Sequence, residues 1–124
     1  SEAGLQFVVL YFSAMAIGFV PIASLALLTW QEVNYIIEDA GIALIYQSDL
    51  TELNIDLPDD CLLLSETDLK HVFEQEVVIG SIEYTTHQED PAFITYTSGS
   101  SGRAKGVVHA HRVILGREPI RTQW

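Results

Sequence analysis

The chain opens on a long stretch with little polar punctuation. No charged residue occurs between Glu2 and Glu32, and Leu5 to Ile17 (LQFVVLYFSAMAI) is apolar on nearly every helical face. A helix of that kind belongs deep inside a larger body. Gly18 is expected to end it. Phe19 to Ala23 (FVPIA) then reads as a short strand, with Pro21 restricting it to an edge or a bulge. The uncharged run is long enough to raise a membrane span. Gly18 and Pro21 interrupt it, however, Gln6 and Ser13 break up its first half, and no Lys or Arg flanks either end. The positive start of a signal peptide is missing too. The reading is a buried helix and strand, not a span.

Helical periodicity is clearest after Thr29. Thr29-Trp30-Gln31-Glu32 has the residues of a capping box, in which hydroxyl and carboxylate each cover the other residue's amide. Val33, Ile36, Ile37 and Ala40 follow at helical spacing, and Gly41 is a stop signal. Ile42 to Tyr46 (IALIY) is a fully apolar run of strand length, as in a buried parallel strand. Residues 51–60 are acidic and turn-rich. Cys61 to Leu64 is a further short strand, and Ser65 to Gln75 a modest helix with Ser65 and Asp68 at capping spacing. VVIGSIEYTT (residues 77–86) is less regular, loop with some strand. Asp90-Pro91 marks a turn. Ala92 to Thr97 (AFITYT) predicts a strand, and Lys105 to His111 is compatible with another that pairs back on it. The segment between them is then the tip of a wide hairpin, and Val113 to Trp124 starts a helix. Helices alternating with strands predict an α/β fold, a layered sheet-and-helix piece.

Composition narrows the function classes. At 124 residues the chain is one domain or a piece of one. Its formal charge of −11 argues against non-specific nucleic-acid binding by the whole chain. The single cysteine, Cys61, excludes an internal disulfide and fits a reducing, cytoplasmic setting. The charges are unevenly placed. Lys70 is the only basic residue up to Gly102, whereas Arg103, Lys105, Arg112, Arg117 and Arg121 follow with Glu118 as the only acid. The basic part begins inside the hairpin tip.

That tip carries the candidate chemistry. Eight of the eleven residues from Thr97 to Val107 are Thr, Ser, Gly or Lys: Thr97, Ser98, Gly99, Ser100, Ser101, Gly102, Lys105 and Gly106. Glycines let successive amides converge on one point, and such a nest binds anionic oxygens. Hydroxyls add donors, and Lys105 adds a full positive charge. These are the parts of a phosphate site. The P-loop pattern is absent, because it wants Gly-Lys before Ser or Thr and then a helix. A spacer is excluded by the flanks, FITYT and KGVVHAH. His109 and His111, two residues apart, lack a third ligand nearby, so no metal site is expected. The acidic run Asp56–Asp60 reads as a solvated loop, and Trp30 and Trp124 as packing residues.

The segment YTSGSSGRAKGV (Tyr96 to Val107) resembles the signature loop of the adenylate-forming, or AMP-binding, superfamily of acyl- and aryl-CoA synthetases, amino-acid adenylation domains and luciferases. Every position agrees except Ala104, where proline is usual. Losing proline loosens the loop without removing a ligand, since proline offers no donor. Ala16 to Asp49 is similar to the family segment that precedes the loop, DPAFITYTSG to the usual lead-in, and His111 stands where members often carry His. HAHRVILGREP most resembles the CoA ligase branch.

The resemblance implies an ATP-dependent acid–thiol (acyl-CoA) ligase of the kind used in fatty acid metabolism. A carboxylate attacks the α-phosphorus of Mg-ATP, and CoA then displaces AMP from the acyl-adenylate. By match of position, Thr97, Ser98, Ser100 and Ser101 would supply hydroxyls, Gly99 and Gly102 amides, and Lys105 charge to the ATP phosphates. It also implies that residues 1–124 are a partial N-terminal AMP-binding domain. The adenine and ribose motifs, the hinge and the catalytic lysine are expected downstream, so no catalytic residue falls in the chain, which alone is expected to be inactive. Apolar surface left without neighbours would be exposed or drive self-association. Two alternatives stay open, an amino-acid adenylation domain and a non-catalytic nucleotide- or phosphate-binding module.

Overall fold

The computed structural model describes residues 2–23, 28–48, 54–76, 80, 86–97 and 102–115. The chain divides into two compact units, Ser1–Phe7 with Ser24–Ser81, and Val8–Ala23 with Ile82–Trp124.

Helix α1 (Glu2–Ala16) contributes residues to both units. It ends as the sequence predicts, with Gly18 at φ 89° and the Phe19 amide reaching back to the Ala14 carbonyl at 2.9 Å. Its burial differs from expectation. Met15 is buried, but Leu5 (66%), Val8 (47%), Val9 (39%) and Phe12 (55%) are exposed. Spaced three and four apart, these four form one stripe along the helix. Among the described residues no helix is long and apolar enough to cross a membrane.

The first unit is built on local signals. Helix α2 (Trp30–Ala40) begins with the capping box: the Glu32 amide donates to Thr29 Oγ1 at 3.3 Å, and the Thr29 amide to Glu32 Oε2 at 2.8 Å. It ends at Gly41, in the left-handed region at φ 62°. Both the Gly41 and Ile42 amides bond the Ile37 carbonyl, so Ile42 completes the cap instead of starting a strand. Strand β1 is therefore Leu44–Gln47, two residues later than the apolar run suggests. Strand β2 (Leu62–Ser65) pairs with it in parallel, Leu44 opposite Leu62 and Gln47 opposite Ser65. The connection is pinned to α2 where the Asp56 amide donates to Asn34 Oδ1 at 3.0 Å. Ser65 is both the last strand residue and the N-cap of α3 (Glu66–Glu74), with Asp68 completing a second capping box. Among the described residues, Ile36, Ile37 and Leu69 are the buried apolar side chains of this unit.

The second unit carries the hairpin. Strand β3 (Pro91–Thr97) pairs antiparallel with β4 (Lys105–Ala110), with an irregularity between Pro91 and Phe93. Pro91 is the first strand residue, a position where its missing N–H costs no ladder bond. Ala92, beside the irregularity, is fully buried. On the other edge of β3 the expected strand Phe19–Ala23 shrinks to one parallel bridge, Ile22 to Ile94, with the Ile94 amide donating to the Pro21 carbonyl at 3.1 Å. Pro21 can accept there but cannot donate. A short helix α4 (Arg112–Leu115) follows β4. The expected helix beyond Leu115, and most of residues 77–86, lie outside the described residues.

Candidate functional site: the mouth of a hairpin

The β3–β4 ladder runs without a break from Phe93–His109 to Thr97–Lys105. It thus ends on two residues expected at the phosphate site, placed opposite each other. The Thr97 hydroxyl also lies 3.5 Å from the Lys105 carbonyl, a long and weak bond. Gly102 stands at φ 116°, a backbone state that favours glycine, with open space where a side chain would be. Lys105 and Arg103 are exposed. Ser98, Gly99, Ser100 and Ser101 lie outside the described residues.

Alternation along the strands sorts the side chains into two faces. Thr97, Thr95 and Phe93 share one with Lys105, Val107 and His109. On it, Thr95 Oγ1 and His109 Nε2 are 2.8 Å apart, and the His109 ring stacks on Phe93 with centroids 4.5 Å apart and 12° between planes. From sequence alone His109 stands only as a candidate metal ligand. Four steps inward from the Thr97–Lys105 pair, the ladder sets it opposite Phe93 and diagonal to Thr95 instead. Among the described residues no group of three or more His, Cys, Asp or Glu is placed to hold a metal ion. Burial, and then the Asp60 carboxylate, push the Cys61 thiol up, so it stays protonated at neutral pH and is a poor nucleophile.

Among the described residues the arrangement offers a cation, the Thr97 hydroxyl and a glycine-shaped backbone at one end of a hairpin. That donor set suits a polyphosphate oxygen cluster. The model of the family described as AMP-binding enzyme matches residues 1–118, and the chain belongs to that family. It is 31% identical over 119 residues to gramicidin S synthase 2 of Aneurinibacillus migulanus, covering 93% of this chain and 2% of that protein. It is 25% identical over 128 residues to 4-coumarate–CoA ligase-like 9 of Arabidopsis thaliana, covering 99% and 23% respectively. The fold matches the Mycobacterium tuberculosis fatty acyl CoA synthetase with a TM-score of 0.75 at 23% identity, over 90% of this chain and 23% of that one. The chain therefore spans only a small part of the length of each of these proteins, and its mixed helix-and-strand fold is that of the N-terminal domain of adenylate-forming enzymes.

Proposed function

We propose that residues 1–124 form part of the large N-terminal AMP-binding domain of an ATP-dependent acid–thiol ligase, and that residues 97–107 hold the ATP phosphates. The observation that carries this reading is the Thr97–Lys105 pair closing the ladder at the start of the hydroxyl- and glycine-rich segment. Lys105 supplies positive charge, Thr97, Ser98, Ser100 and Ser101 supply hydroxyls, and Gly99 and Gly102 supply closely approaching amides. When a carboxylate oxygen attacks the α-phosphorus, the bond to the β-phosphate bridging oxygen breaks and pyrophosphate leaves with the electron pair. Charge growing on that leaving group is what the segment stabilises. Mg2+ would arrive with the ATP phosphates. The acyl-adenylate then passes its acyl group to the CoA thiol, releasing AMP.

A second reading stands beside it, since the chain is similar to a peptide synthetase as well as to a CoA ligase-like protein. On that reading the acid is an amino acid. Acid-dependent exchange of labelled pyrophosphate into ATP by the full protein, with fatty, aromatic and amino acids, tests both. Exchange with a fatty or aromatic acid, followed by CoA thioester formation, is expected. Exchange with amino acids alone selects the second reading, and no exchange with any acid overturns both.

A further inference from the structure

Tyr96 and Gly106 face each other one step inside the Thr97–Lys105 pair. The Ile94 amide donates to Pro21, away from β4. Bonding direction alternates along an antiparallel pair, so Ile94–Val108 and Tyr96–Gly106 are non-hydrogen-bonded pairs, where side chains stand closest. The Tyr96 ring fills that space. A methyl group on Gly106 would stand 3.1 Å from Tyr96 Cζ, 3.3 Å from its hydroxyl oxygen and 3.4 Å from Ile94 Cγ2. Positive φ occurs at Gly18, Gly41 and Gly102 but not at Gly106. Gly106 is therefore fitted to its place by lacking a side chain, not by unusual backbone freedom. An aromatic ring laid across a strand glycine restores the apolar contact that the glycine cannot make.

We propose that Tyr96 is a positioning residue for the phosphate-binding segment: seated on Gly106, its ring fixes the register in which Thr97 and Lys105 leave the two strands together. This rests on the nucleotide reading above. A slip of one residue would turn Lys105 to the opposite face of the hairpin and leave Thr97 without its partner.

Calorimetric binding of Mg-ATP and of AMP to the full protein tests it, because AMP lacks the β- and γ-phosphates and reports only on the rest of the site. Tyr96→Ala and Gly106→Ala are each expected to weaken Mg-ATP about tenfold and AMP less than about twofold. Tyr96→Phe keeps the ring on Gly106 and should lose less Mg-ATP affinity than Tyr96→Ala. The double variant should be no worse than the weaker single one, since both remove the same contact. Should Tyr96→Ala fail to fold, Gly106→Ala carries the same expectation. Equal losses for the two nucleotides, or undiminished Mg-ATP binding, overturn the positioning role. A wild-type protein that binds no Mg-ATP overturns the functional reading, and this inference with it.

Discussion

The Asp90 carbonyl accepts the His111 amide at 3.0 Å, tying the turn before β3 to the residue just after β4. The Arg112 amide adds a second tie to the Gln88 carbonyl at 2.9 Å. The hairpin is thus closed at its base by main-chain bonds, while its other end carries the candidate site. Within the turn, Asp90 Oδ2 accepts the His87 amide at 2.8 Å. Asp90→Ala removes that acceptor and should lower unfolding stability by about 1 kcal/mol, whereas Asp90→Asn retains it. Arg112 and Glu89 are 3.2 Å apart but 62% and 76% exposed, so Arg112→Ala should cost less than about 0.5 kcal/mol. Urea unfolding of the three variants checks this ordering.

Lys105→Ala should slow adenylate formation by the full protein about 30- to 1000-fold, the effect of losing one preorganised charge contact to a leaving group. Acyl transfer from supplied acyl-adenylate should be spared. Pyrophosphate exchange and single-turnover transfer are the two measurements. An unchanged exchange rate would remove Lys105 from the site.

The capping boxes give a pH dependence. The Thr29 amide, and then its hydroxyl, hold the Glu32 carboxyl below its ordinary range. The Ser65 hydroxyl, and then its amide, do the same for Asp68, with a smaller contribution from His71. A carboxyl whose pKa is lowered by folding stabilises the fold while ionised above its unfolded value. That contribution is lost as pH falls from there through the lowered value. Thermal melts from about pH 7 to about pH 3 should show Thr29→Ala and Ser65→Ala least stable relative to wild type at neutral pH, with the gap closing in acid. A gap that stays constant would mean the carboxylates contribute nothing.

The Leu5, Val8, Val9 and Phe12 stripe should make the isolated 124-residue chain self-associate. Light scattering is expected to show a mass that rises with concentration, and Val9→Lys with Phe12→Lys should lower it. Since both residues are already exposed, the substitutions should leave helicity unchanged. A monodisperse wild-type monomer would refute the prediction.

What could be read from sequence follows the reach of each interaction. Thr29 with Glu32, Ser65 with Asp68, and Gly41 act within a few residues, and the structure places all of them as the sequence suggests. Strand starts were less legible. Ile42 is apolar enough for a strand, but its amide is committed to the Ile37 carbonyl. Phe19–Ala23 has strand composition, yet Pro21 offers only an acceptor and pairing stops at one bridge. The exposure of α1 depends on what surrounds it, which no helical pattern specifies. At the candidate site the motif named Thr97 and Lys105, but only the ladder puts them opposite each other and sets Tyr96 on Gly106.

That last contact bears on how the signature should vary among relatives. A motif of this kind is commonly taken as a roster of ligand-binding residues, each retained for its own sake. The closeness of Tyr96 to Gly106 makes these two positions a correlated pair instead. Relatives with a ring at the first position should hold glycine at the second. Those in which the ring has become small should be free to carry alanine or serine there. Intermediates with ring and methyl together should be less common, because a methyl on the glycine requires the ring to give way by a few tenths of an ångström.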